Sequence, residues 1–210
     1  MKIRTPKTLV LCEGKDDELV MQTLASHSGL DGHLVFLQYG GESKLREYLK
    51  TLMARSGFQN REYTKILITR DADQNYDAAV QSLKDAVHEV FSVNVVTPGE
   101  WVELSTGGKI STWVICGPNQ TGMIETLCLD AVRAKNPEQF TCLDSFMDCL
   151  EAQWGHKPHE KVRFTLWTII AQGKTAQDRL SIPYAIKNLD FNWDDPAYAS
   201  LRQLFQDISG

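Results

Sequence analysis

The chain has 210 residues, a net charge of −5 and a composition that is 42% hydrophobic and 23% charged. That length suits one large domain or a compact domain with an appendage, and no apolar run is long enough to cross a bilayer. Net negative charge argues against gripping nucleic acid by bulk attraction, but not against a cleft whose own acids await cations. The basic start, Met1 to Lys7, is followed by an apolar run that is short and meets Glu13, so no signal peptide is expected and the placement is cytoplasmic. Five cysteines, odd in number and without a Cys-x-x-Cys pair, read as reduced, mostly buried thiols, not a zinc site or disulfide framework.

In chain order, Thr8 to Cys12 is a continuous apolar strand ending at Glu13-Gly14, and Lys15-Asp16-Asp17-Glu18 opens a helix that Gly29 closes. His33 to Gln38 is a second strand running into Tyr39-Gly40-Gly41. The next helix carries Leu45, Tyr48, Leu49, Leu52 and Met53 on one face and ends near Gly57. Lys65 to Thr69 is a third strand, stopped by Arg70-Asp71-Ala72-Asp73, and a helix with Tyr76, Val80, Leu83 and Val87 follows. Phe91 to Val96 is predicted as a fourth strand, Glu100 to Lys109 as an excursion turning at Gly107-Gly108, and Ser111 to Cys116 as a fifth strand.

Strand–helix units in series predict a mostly parallel, right-handed α/β sheet flanked by helices. Beyond it only helices are expected: one from Thr121, then Phe140 to Trp154, Glu160 to Gln172, and one begun by Asp194-Asp195-Pro196. The boundary falls at residue 118, giving an α/β domain over 1–118 and a helical extension over 119–210, or one continuous domain. The scattered tryptophans read as core or interface, not a base-stacking platform.

Chemistry concentrates at strand ends. Side chains two apart in extended backbone share a side, so Asp71 and Asp73 can converge at the carboxyl end of a strand, where open α/β sheets bind ligands. Taken alone, the pair is as easily a helix cap. Glu13, ending another strand, favours a shared site, because glutamate is a poor cap and clustered carboxylates repel unless a cation such as Mg²⁺ joins them. Of Asp16 and Asp17, Asp16 is favoured as the cap, the other lying behind a metal; Asp77 belongs to the first turn of its helix.

Leu11-Cys12-Glu13-Gly14-Lys15-Asp16-Asp17, followed by Ile68-Thr69-Arg70-Asp71-Ala72-Asp73, resembles the Toprim domain of topoisomerases, primases, recombination-repair proteins and the overcoming-lysogenization-defect nucleases. The resemblance covers about residues 8 to 96. Pro118-Asn119, Gly122-Met123-Ile124-Glu125 and Glu160-Lys161 before Thr165-Leu166-Trp167 are similar to small standalone Toprim proteins of the nuclease branch.

The resemblance implies a Toprim-like Rossmannoid sheet and Mg²⁺- or Mn²⁺-dependent phosphodiester hydrolysis or transfer on DNA or RNA. It implies Glu13, Asp71, Asp73 and Glu125 as metal ligands, with Glu13 also an acid–base group and Lys161 a cationic partner in catalysis. A protein partner such as an ATPase is a further implication. The alternative is a Toprim-fold module that binds nucleic acid or a partner without turnover. One departure stands out: the glycine usual after the aspartates is replaced by Gln74-Asn75-Tyr76-Asp77, and Asn75 is the expected residue of unusual backbone angle. A receiver domain, a dehalogenase-type phosphatase, a topoisomerase and a zinc-bearing repair protein each fit the order or content of the motifs less well.

Overall fold

The computed structural model describes residues 7–30, 32–54, 63–105, 107–172, 181–189 and 191–209. Two compact units emerge, one of residues 1–121 with 200–210 and the other of residues 122–199.

The first unit is built on β1 (Lys7–Cys12), β2 (Leu34–Gln38), β3 (Tyr63–Arg70), β4 (Val102–Glu103) and β5 (Lys109–Val114) in the order β2-β1-β3-β5-β4. All neighbours are parallel except β4, which pairs antiparallel with β5. The chain thus forms an α/β fold with a mostly parallel sheet, as expected. β1 after Lys7 and the second half of β3 are buried without alternation because both of their faces are covered.

Leu9, Leu11, Ile66 and Ile68 share a core with Leu45, Leu49 and Leu52 of α2 (Leu45–Met53) and Ala79, Leu83 and Val87 of α3 (Tyr76–Phe91). The alternate residues meet the other face. There Cys12 Sγ lies 3.7 Å from Met21 Sδ of α1 (Lys15–His27). Phe36 meets Phe205 edge-on at 5.8 Å, and Thr8 Oγ1 donates to the Ile208 carbonyl at 3.2 Å. Phe205 and Ile208 belong to α8 (Ala199–Ser209), so the end of the chain returns to complete the unit in which it began.

The expected strand at Phe91 to Val96 does not form. α3 runs through Phe91 and is closed by Ser92 in a left-handed conformation, φ 56°; Val93 and Val95 then pack into the core from irregular backbone. Hydrophobicity placed these valines correctly, but they have no ladder partner. The excursion contains the short edge strand β4, turned back through Gly107-Gly108; a side chain on Gly108, at φ 96°, would meet the Thr64 carbonyl oxygen at 3.0 Å. The residue named as the end of the second helix, Gly57, lies outside the described residues.

The second unit holds α4 (Ile124–Arg133), α5 (Pro137–Trp154), α6 (Glu160–Gln172) and α7 (Ile182–Asn188), then a 3₁₀ turn at Pro196–Tyr198. α7 was not foreseen: its seven residues are too few to show a period, although Ser181 caps it and Pro183 suits its first turn. Asp195 accepts from the Ala197 N–H at 3.0 Å, the start signal read from Asp194-Asp195-Pro196. Asp144 of α5 bonds Arg133 and Arg163, which hold its carboxyl down against the upward push of burial. Trp193 stacks on Phe191 at 5.6 Å and on Tyr198 at 5.3 Å, in keeping with a packing role.

Candidate functional site: an acidic rim at the β1/β3 switch point

The strand order sets the location. From β1 the chain crosses to β2 on one side, then back over β1 to β3 on the other, so the crossovers part between β1 and β3. In open α/β sheets that crevice, at the carboxyl ends of the strands, is the ligand-binding position. Leu11 stands beside Ile68 in the parallel register, and Glu13 and Asp71 each follow one of these two strands.

Glu13 is clamped by its backbone. Its carbonyl accepts from the Gly40 and Gly41 N–H groups at 3.0 Å each, and its Oε1 accepts from the Glu42 N–H at 3.2 Å. Gly41, at φ 106°, lets the loop after β2 wrap this closely. Among the described residues, Glu13 Oε2 is buried with no hydrogen-bond partner. Arg70 Nε is 4.0 Å away, beyond hydrogen-bonding distance.

The Glu13 carboxyl is raised above its ordinary value of 4.5, chiefly by burial; Arg70, the next influence in size, pulls it down, Asp17 and Asp73 push it up again, and the Asp71 backbone lowers it least. A group whose folded value is raised stabilises the fold when protonated, and that contribution fades as pH rises through the folded value. Without divalent cations, Glu13→Gln is therefore expected to be more stable than the wild type at neutral pH. The two should converge below about pH 4.5; thermal melts across that range check it, and a wild type equal or superior at pH 7 would contradict the assignment.

Asp71 is 8% exposed and Ala72 beside it 2%, whereas Asp73 is exposed and left-handed, φ 49°. The strand alternation therefore does not continue to Asp73. The Asn75 N–H closes this turn on the Ala72 carbonyl at 3.0 Å, and Asn75 itself is extended, φ −146°, its side chain capping α3 through the Ala78 N–H. The unusual backbone angle thus falls on Asp73, not Asn75. Aspartate is one of the few side chains that tolerate it, which is how the turn forms without glycine.

Asp17, not Asp16, caps α1. Its Oδ2 accepts from the Gly14 N–H at 2.6 Å, and it is 5% exposed while Asp16 is only half-buried. With glycine at the cap position, the third helical residue reaches back to the free N–H instead. Asp77 occupies the first turn of α3 as expected.

Arg70, Glu42, Ser82 and Tyr39 join the rim without having been singled out from sequence. Arg70 Nη1 donates to Glu42 Oε1 at 2.7 Å, and Ser82 Oγ donates to the same oxygen at 3.0 Å, which holds the Glu42 carboxyl down. The Tyr39 hydroxyl donates to the Thr69 carbonyl at 2.9 Å; burial, then Glu13, keeps it protonated. The signal for Arg70 was present in its position: an arginine closing an apolar strand is buried, and a buried arginine needs acid partners.

Glu125 and Lys161 meet each other within the second unit. Glu125, 2% exposed in the first turn of α4, has Lys161 Nζ of α6 at 3.8 Å. The helix N-terminus favours the carboxylate too. Lys161→Met is expected to lower the melting stability of the protein by about 1–2 kcal/mol, and adding Glu125→Gln should restore most of it. Additive losses would mean that the two do not act as a pair.

The donors at the rim are carboxylate oxygens, the chemistry that Mg²⁺ and Mn²⁺ prefer, and the buried, unsatisfied Glu13 Oε2 is the atom such an ion would satisfy. Among the described residues, no three His, Cys, Asp or Glu side chains stand close enough to hold a metal as they are. Ligation here would require carboxylates to turn toward one another.

A parallel-sheet α/β protein with an acidic rim at its switch point is the class that this fold and site define. The chain belongs to the DUF3226 family of proteins of unknown function, whose model matches residues 7–209. In fold it is similar to the crystal structure of a hypothetical protein from Pyrococcus horikoshii OT3, with a TM-score of 0.58 at 15% identity over 97% of this chain and 99% of that one. A comparison with curated proteins gives no match. No helix among the described residues is long and apolar enough to cross a membrane.

Proposed function

We propose that the protein is a Toprim-type, divalent-cation-dependent phosphodiesterase acting on nucleic acid. The observation that carries this is the buried Glu13 Oε2, left without a hydrogen bond at the rim that Asp71 and Asp73 share. Glu13, Asp71 and Asp73 would hold Mg²⁺ or Mn²⁺, which when bound offsets the charge that develops on a phosphate undergoing displacement. Glu13 would either ligate the ion through Oε2 or, where Asp71 and Asp73 hold the ion without it, act as the acid–base group. The Glu42 N–H and the loop amides on its carbonyl fix it in place.

Lys15, which opens α1, and Lys44, in the turn after Gly41, are exposed, which offers local positive charge to a phosphate backbone despite the net charge of −5. Glu125 and Lys161 are engaged with each other and are assigned no role in this chemistry. A partner protein would supply DNA-binding surface or an ATPase motor.

Incubation with supercoiled plasmid and with single-stranded DNA and RNA, each with Mg²⁺, Mn²⁺ or EDTA, tests the reading. Cation-dependent cleavage is the expected result. Cation-dependent stabilisation without cleavage would favour the second reading, a binding module without turnover. That reading has its own support in the absence, among the described residues, of a ready-formed set of metal ligands.

A further inference from the structure

We infer that Arg70 is a positioning residue that serves as a tethered counter-cation of the rim, occupying Glu13 until a divalent cation displaces it. The inference rests on the cation reading above and concerns what controls that site. Arg70 is 9% exposed, and a guanidinium this buried has to be compensated by acids. Its partners are unequal. Nη1 is fixed on Glu42 Oε1 at 2.7 Å, an oxygen held in turn by Ser82 Oγ at 3.0 Å. Nε faces Glu13 Oε2 at 4.0 Å, and among the described residues neither of these two atoms has a hydrogen-bond partner.

Two opposite charges facing each other with open hydrogen-bonding capacity would close to about 2.8 Å if nothing restrained them. Glu42 holds the guanidinium, and Glu42 N–H and the Asp71 backbone hold the carboxylate. The result is a loose pair. Arg70 offsets the charge on Glu13 well enough for the fold to exist without a metal, yet leaves Oε2 available as a ligand. Arg70 then sets how much cation the site needs, and Glu42 sets how strongly Arg70 competes.

The test follows the melting temperature of the full chain against Mn²⁺ or Mg²⁺ concentration, a readout independent of turnover. Arg70→Met should lower the half-saturating concentration about tenfold or more, whereas Lys44→Met, which removes a charge from an exposed neighbouring loop, should change it by less than about threefold. Glu42→Gln, by freeing Arg70 to close on Glu13, should raise the half-saturating concentration about threefold or more, against little change for the charge-matched Glu47→Gln on exposed α2 surface. In an Arg70→Met background the effect of Glu42→Gln should vanish.

A wild type that responds to cations while Arg70→Met binds no more tightly than Lys44→Met overturns the inference and leaves the cation reading standing. Absence of any response in wild type and Arg70→Met alike overturns both. If Arg70→Met does not fold, the Glu42→Gln and Glu47→Gln pair decides alone: equal midpoints overturn the inference.

Discussion

Asp71→Asn is expected to abolish the response to Mg²⁺ and Mn²⁺ while leaving the chain folded. Asparagine keeps the size and one oxygen of the side chain, so the buried position after β3 remains filled, but the charge that would help bind a divalent ion is gone. For the wild type, a cation at about a hundred times its dissociation constant adds about 2.7 kcal/mol of stability; the variant should show none of it. Any cation-dependent cleavage should fall on the order of 10²-fold or more. In EDTA the variant should match or exceed the wild type, because a buried carboxylate charge at an acidic rim has been removed. Melts with and without cation, and the cleavage assay, give these values. A variant that unfolds in EDTA would make Asp71 a structural residue of the turn.

The second large effect is at the other end of the sequence. A chain ending at residue 198 should fail to form a cooperatively melting sheet. Leu201, Leu204, Phe205 and Ile208 of α8 are all buried, at 0%, 6%, 0% and 2% exposure. Each such burial contributes about 1.5–3 kcal/mol, and four of them rival the ~5–15 kcal/mol by which a domain is stable at all. The loss also uncovers Phe36 and frees the Thr8 hydroxyl from the Ile208 carbonyl. Phe205→Ala alone should cost about 3–5 kcal/mol. Denaturant melts followed by far-UV circular dichroism, with proteolysis of the truncated chain, measure both. A truncated chain that melts like the intact one would show that α8 is dispensable.

The parallel sheet was legible because β1 and β3 are apolar on both faces and each stops at an acid. The same stops gave Glu13, Asp71 and Asp73 as neighbours at one edge. What escaped had local causes. Val93 and Val95 carry a strand-like pattern but form no ladder among the described residues, so burial without pairing reads as a strand. The turn after β3 was misplaced by two residues because Asp and Asn both tolerate left-handed backbone, and the choice depends on which one can cap α3. Asp17 replaced Asp16 as the cap because Gly14 has no side chain to offer. Arg70 and Glu42 are 28 positions apart, and only the loop after β2 brings them together. That pairing is tertiary, and no local pattern announces it.

The bond from Thr8 to Ile208 spans 200 positions of sequence, and it has a consequence for the order of assembly. During synthesis the strands of the first unit emerge before residues 122–199, but α8, which shares one face of β1 and β2 with α1, emerges after them. Residues 122–199, contiguous in sequence, can be completed while that face is covered by α1 but not yet by α8. At about 5–20 residues per second, the wait from the end of β5 to the end of α8 lasts several seconds or more. The first unit is therefore completed after the second, and the part of its sheet that α8 covers is the surface that a chaperone, or another nascent chain, would meet in the interval.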